Sequence, residues 1–232
     1  MSTRQDYVSA IGYYVNGSNL PLGTTEKEFA IAQAILEHSR HRPQILVQDV
    51  DGDGSSFDFN VTNLTSWSQG FSVIKQLEYP VDDDDETPNL LQEYEWTIYH
   101  KPTGYFIRFL RDTPSSDEDF RATYTALHTC TDSACTVEDY DEKVVQMLAS
   151  AYFCFMLSTY YAKTNDASIS ADSVNHTSRS SEYKAKGSMY ESLYYDHLGA
   201  KKGSPEAAST TYDWDYDGSW ASDKLTHRRH YR

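Results

Sequence analysis

Positive charge is scarce in this chain: 20 Lys and Arg stand against 35 Asp and Glu, a formal net charge of -15. A chain this acidic does not hold a phosphate backbone by wide counterion release. It suits a wall past which DNA slides without sticking, and equally it suits plain solubility. Cysteine is scarce too. Cys130, Cys135 and Cys154 do not make a disulfide framework, and their odd number argues against a stapled secreted domain. Cys130 and Cys135 lack a second pair with which to form a four-ligand zinc site. Cys154 lies in an apolar helical run and reads as a small core residue. No basic region followed by a long apolar stretch opens the chain, so no signal peptide is expected. No segment approaches the roughly 20 apolar residues of a membrane span. A soluble protein of a reducing compartment is the expectation. GxSxG, Walker-type loops and HExxH are lacking, and the eight His stand in no ligand spacing. Nothing here points to an enzyme or to a cofactor.

Aromatic residues, by contrast, are abundant, and Tyr alone occurs 19 times among 232 residues. Tyr joins a large apolar ring to a polar tip, so it serves surfaces that become buried in assembly, and it serves a Tyr-rich β surface equally well. The hydrophobic pattern predicts an α+β chain. Residues 24–40 read as the first helix, capped by Thr24 or Thr25, with Phe29, Ala32, Ile35 and Leu36 on one face and Pro43 as the stop. Six strand-like runs follow, at 44–48, 56–61, 71–79, 94–99, 104–110 and 120–126. The fourth and fifth should form a hairpin through the breaker-rich 100–104. The acidic run Asp82–Glu86, followed by Pro88, reads as a loop.

Helix returns over 137–163, where Val144, Met147, Leu148, Ala151, Phe155 and Ser158 predict a buried stripe. Tyr152, Phe153 and Met156 lie on other faces. That suits either a fully internal helix or one shared with a neighbouring subunit. A last helix over 178–198 should bury Tyr183, Lys186, Gly187, Tyr190, Leu193, Tyr194 and His197, with Gly199 ending it. The expected architecture is a long-helix core bundle with an inserted small antiparallel β-domain and an extended C-terminal arm. Its divisions are 1–43 for the N-terminal segment and first helix, 44–130 for the β-rich insert, 131–199 for the core helices and 200–232 for the arm.

The sharpest local motif is DVDGDGSSFDFN, residues 49–60. Asp49, Asp51 and Asp53 before Gly54 match the opening of a calcium loop, but Asn60 stands where a bidentate Glu is needed. The residues before it read as a strand, and Asp-Gly between apolar runs is a hairpin signal, so a turn is preferred over a metal site. The arm carries a different signal. It holds Tyr212, Trp214, Tyr216 and Trp220, with Asp213, Asp215 and Asp217 interleaved, and then KLTHRRHYR, with Lys224, Arg228, Arg229, His230, Tyr231 and Arg232 and no acid. Aromatic anchors followed by a basic end are the composition of a segment that orders on a partner.

Three phrases together resemble a known family. YEWTIYHKPTGYFIRFLRDTPSSDEDFRATYTALHT is similar to the hairpin-plus-strand module of tailed-phage head-to-tail connector (adaptor) proteins. VEDYDEKVVQMLASAYFCFMLSTYYA is similar in placement and texture to the long helix that follows it there. NDASISADSVNHTSRSSEYKAKGSMYESLYYDHLG, a serine-rich link leading to a Tyr-rich helix ending in Leu-Gly, is the most specific. The resemblance covers roughly the middle and C-terminal two thirds of the chain. It implies a homo-oligomeric ring, twelvefold in that family, in the virion neck between head and tail, assembled in the host cytoplasm. It further implies docking of the C-terminal arm to the portal protein, contact with the next neck or tail component below, and a lumen that passes genomic DNA without tight binding. By carry-over, Tyr212, Trp214, Tyr216, Trp220, Lys224, Arg228, Arg229, His230, Tyr231 and Arg232 become portal-docking residues. The alternatives are a stopper or tail-terminator neck protein, and a calcium-stabilised β-rich binding module.

Overall fold

Thr3 starts the first helix. Its side chain accepts from the Asp6 amide while Asp6 Oδ2 accepts from the Thr3 amide at 2.7 Å, a reciprocal cap. Helix α1, Arg4–Val15, follows with Tyr7, Val8, Ile11 and Val15 buried. The sequence reading placed the first helix at 24–40, so α1 is a correction; the Thr-x-x-Asp box before periodic apolar residues is the signal that marks it. In this computed structural model, residues 2–16, 20–82, 87–163, 176–200 and 202 are described, with the side chains of 176–178 excepted.

Helix α2, Thr24–His41, is capped by Gly23, whose amide donates to Glu26 Oε2 at 2.7 Å, and not by Thr24 or Thr25. Its buried face is Ala30, Ile31, Ala34, Ile35, His38 and Ser39. The expected face included Phe29 and Leu36, which are 58% and 36% exposed. Packing on α1 and the next helix turns the small Ala30 and Ala34 inward, where backbones can approach closely, and Phe29 outward.

Helix α3, Asp139–Lys163, buries Val145, Leu148, Ala149, Ala151, Phe153, Cys154 and Leu157. The expected stripe is therefore shifted: Val144, Met147, Phe155 and Ser158 are half-buried. By length and composition α3 could cross a membrane, contrary to the expectation that no segment approaches such a span. Here it is the central helix, packed on α1, α2 and α4. Helix α4, His176–Leu198, buries Gly187, Tyr190, Glu191, Tyr194 and Tyr195. Leu193, expected inside, is 43% exposed. Gly187 lets α4 press on α3, because a Cβ there would stand 2.7 Å from the Phe155 ring. Ser180 Oγ donates to the Ser158 carbonyl along the same seam, at 2.9 Å.

Between α2 and α3 lie two three-stranded antiparallel sheets. β1 (Gln44–Asp51), β6 (Asp119–Ala126) and β3 (Ile74–Glu78) form the first in the order β1-β6-β3. β2 (Asp58–Asn60), β5 (Gly104–Phe109) and β4 (Trp96–Lys101) form the second in the order β2-β5-β4. All six predicted strand runs contain a strand. The β4–β5 hairpin forms as expected, with Lys101 opposite Gly104. The expected hairpin at 49–60 does not form: β1 pairs with β6 and β2 with β5, so this segment crosses from one sheet to the other. A shared core of Leu77, Ile107, Phe109, Phe120, Ala122 and Tyr124 joins the sheets. Burial of each large side chain there contributes roughly 1.5–3 kcal/mol.

The cysteines differ from expectation. A tight turn, with the Thr131 amide on the Ala134 carbonyl at 2.9 Å, sets Cys130 opposite Cys135, and the two are paired as a disulfide. Cys154 is the buried core residue expected, its thiol pushed up to about 11 by burial. The fold class is α+β, a helical bundle with two small antiparallel sheets between its second and third helices.

Candidate functional site

Three helix ends of matching polarity meet at Asp141. The carboxylate sits in the first turn of α3, where the helix dipole favours negative charge. His38 lies in the last turn of α2, Arg42 just beyond it, and His197 in the last turn of α4. Arg42 donates to both Asp141 oxygens at 2.7 and 2.8 Å, and His197 Nε2 stands 2.8 Å from Oδ1. His38 Nε2 is 3.7 Å from Oδ2, and its Nδ1 is 3.2 Å from the Tyr194 hydroxyl. Burial alone would raise the Asp141 carboxyl; hydrogen bonds from Arg42 and His197 outweigh it and hold the group below the usual carboxylate range. Burial pushes His38 down to about 4, with His128 adding to the shift. At neutral pH His38 is therefore uncharged, and its contact with Asp141 is polar rather than an ion pair.

His128 extends this network. Its Nε2 donates to the Arg42 carbonyl at 2.9 Å, its Nδ1 lies 3.1 Å from Thr136 Oγ1, and its amide donates to Ser39 Oγ at 2.9 Å. Three of the His residues that look scattered in sequence, His38, His128 and His197, are thus brought to one network. Sequence reasoning missed this node. The available signal was basic residues at the predicted ends of two helices and an acid at the start of a third.

The node fixes the root of the C-terminal segment. Gly199, at φ +66°, ends α4, with its amide on the Asp196 carbonyl and the Ala200 amide on the Tyr195 carbonyl at 3.1 Å. Lys202 Nζ then turns back to Glu191 Oε2 at 2.7 Å. The expected docking residues Tyr212, Trp214, Tyr216, Trp220, Lys224, Arg228, Arg229, His230, Tyr231 and Arg232 lie outside the described residues, as does most of the acidic run Asp82–Glu86.

The calcium-like turn is otherwise engaged. Asp49 takes two hydrogen bonds from Arg121, at 2.6 and 3.0 Å, which hold it below the usual carboxylate range. Asp53 Oδ1 accepts from the Ser56 and Ser55 amides at 2.6 and 2.9 Å, which lowers it likewise. Asp51 is exposed at the end of β1. Gly52 and Gly54 pack on the 114–118 loop, donating to the Glu118 and Pro114 carbonyls. Among the described residues no group of three His, Cys, Asp or Glu is arranged to hold a metal ion.

The sheet unit carries a groove of about 570 Å³ between β4 and the 67–75 segment that leads into β3. Trp67, Phe71, Trp96, His100 and Tyr105 line it, with Ile74 and Ile98. The Trp67 indole N–H is buried and has no acceptor among the described residues.

No family model matches the chain, and no curated protein matches it. Among solved structures, a chain of the neck of a native GTA particle, computed with C12 symmetry, is similar over 76% of this chain and 90% of that one. The identity is 12% and the TM-score 0.26, a degree of likeness that carries no argument about this chain.

Proposed function

We propose that this chain is a structural, non-enzymatic protein of a tailed-phage or phage-like neck, a head-to-tail adaptor whose copies form a ring beneath the portal. The observation that carries the reading is the succession of three phrases resembling adaptors, over 94–129, 137–162 and 165–199, followed by an aromatic and basic C-terminal segment. The fold is compatible with it: the first phrase forms β4, β5 and β6, the second α3 and the third α4. The division of the chain at 43, 130 and 199 belongs to the same proposal. In this reading the bundle and sheets form the ring body, Asp141 and its partners hold the root of the arm, and the arm takes the portal. The acidic balance of the chain lets DNA pass without tight binding. A basic arm end meeting acidic portal patches gives a docking rate that falls with salt.

The test is binding to the portal ring of the same particle, comparing the full chain with a version ending at Gly199. Binding by the full chain alone supports the arm as the docking element. Equal binding moves the contact to the body and removes the ten arm residues from the site. Binding by neither favours a stopper or terminator lower in the neck. The calcium-stabilised module loses its support, because Asp49 and Asp53 are engaged by Arg121 and by the turn itself.

A further inference from the structure

Two strands of six residues or more, β1 and β4, end their sheets, and of these β4 borders the aromatic groove. β4 ends its sheet, and among the described residues no backbone hydrogen bond reaches Trp96–Lys101 from the side away from β5. Such an edge is a template for a further strand. Its two faces differ in chemistry. Trp96, Ile98 and His100 line the aromatic groove together with Trp67 and Tyr105. Tyr99 and Lys101 lie on the opposite face with Arg108, whose guanidinium is 4.0 Å from the Tyr99 ring centre. There Asp58 is shared by Lys101 and Arg108, so two cations answer one carboxylate and the cluster keeps a net positive charge.

The chain contains a segment with the complementary alternation. Residues 212–217 read Tyr-Asp-Trp-Asp-Tyr-Asp, a strict period of two that puts three aromatics on one face of an extended strand and three acids on the other. We propose that this segment of the same chain seats as an added strand along β4, with Tyr212, Trp214 and Tyr216 in the groove and Asp213, Asp215 and Asp217 beside Lys101 and Arg108. Reach permits it. The 12 residues from Ala200 to Tyr212 span up to about 40 Å when extended. A chain of contacts links the root of the arm to the groove. His197 and Arg42 share Asp141, and the Arg42 carbonyl accepts from His128. From His128 three residues lead to Thr125, whose amide donates to the Val73 carbonyl at the groove at 3.0 Å. A partner that takes Trp214 must first displace it from β4.

The proposal stands apart from the neck reading, because its test needs no partner. Hydrogen exchange of the full chain is followed by mass spectrometry at low micromolar concentration. The wild type is compared with a variant carrying Tyr212→Ser, Trp214→Ser and Tyr216→Ser, with the β5 and β6 amides as internal controls. The expected result is exchange of the 96–101 amides at least about 5-fold slower in the wild type, at every protein concentration, since a formed ladder must open before exchange. A second variant, Asp213→Lys with Asp215→Lys and Asp217→Lys, should lose part of that protection. Equal exchange in wild type and triple-Ser variant overturns the proposal. Protection that grows with protein concentration also overturns it, in favour of the segment from a second copy.

Discussion

In the helical bundle a carboxylate that is 2% exposed is met by Arg42, His197 and His38, while in the sheet unit the ion pairs lie near the surface and an aromatic groove stays open. The bundle is closed around its polar node, so each partner there is committed, and loss of one leaves a buried charge unanswered. The sheets hold the Lys101 and Arg108 cations where water can replace a lost partner. The bundle therefore sets the frame, and the sheet unit offers surface to a further strand or partner. The sharpest way to break this contrast is a pair of matched substitutions. Asp141→Asn should cost about 3–4 kcal/mol in urea unfolding, because Arg42 and His197 lose a buried anion. Asp58→Asn, which also leaves two cations, should cost about 1 kcal/mol, because the Asp58 carboxylate keeps more contact with water than Asp141, 13% against 3%. Equal losses would remove the distinction.

Glycine contacts sharpen the comparison in the opposite sense. At Gly52 a Cβ would stand 2.0 Å from the Ser115 carbonyl oxygen, which is backbone and has nowhere to go. At Gly187 the nearest atom is the Phe155 ring edge at 2.7 Å, a side chain that can shift. Gly52→Ala should therefore cost about 3 kcal/mol and release the Gly52–Glu118 hydrogen bond. Gly187→Ala should cost about 1 kcal/mol, since a gain of about 1 kcal/mol in helix propensity offsets part of the overpacking. Thermal unfolding of the two variants ranks them.

Acid should act on the bundle first. His38 has a folded pKa of about 4 against an ordinary 6.5, so the folded state holds it neutral. Its contribution is complete above pH 6.5 and is lost as pH falls towards 4, where the unfolded chain binds the proton first. At pH 5 the loss should reach about 2 kcal/mol, and Asp141 adds its own loss only below about pH 4. In His38→Phe the slope of stability between pH 6.5 and 5 should flatten. An unchanged slope would place the titrating group elsewhere.

These effects arise where the sequence was least readable. Local pattern located all six strand runs, three of the four helices and the β4–β5 hairpin, because alternation, helical spacing and a breaker-rich turn are written in neighbouring residues. Which face each helix buries was harder to read. Phe29 looked inward by hydrophobicity, yet Ala30 and Ala34 face the core because close helix approach favours small residues. The pairing of β1 with β6 joins Gln44 to Ala126, and no local signal announces a partner that distant; Asp-Gly then misled by suggesting a hairpin. The Asp141 node was hidden for the same reason: His38, Arg42, Asp141 and His197 meet only after the bundle closes. The arm residues from Tyr212 to Arg232 were legible as composition, and their role rests on resemblance.

The smallest effect tests the outer face of the β1-β6-β3 sheet. Ile45 and Val47 are 63% and 59% exposed, while their neighbour Leu46 packs against the core shared by the sheets. Period two makes adjacent residues opposites. Leu46→Ala should cost about 2 kcal/mol by lost packing. Ile45→Ser and Val47→Ser should each stay within about 0.5 kcal/mol, because that face already meets water. Chemical denaturation at several protein concentrations reads the difference. If Ile45→Ser costs as much as Leu46→Ala, and does so only at high concentration, a second copy covers that face in solution. That face and the β4 edge would then serve different contacts, one between copies and one with the chain's own segment.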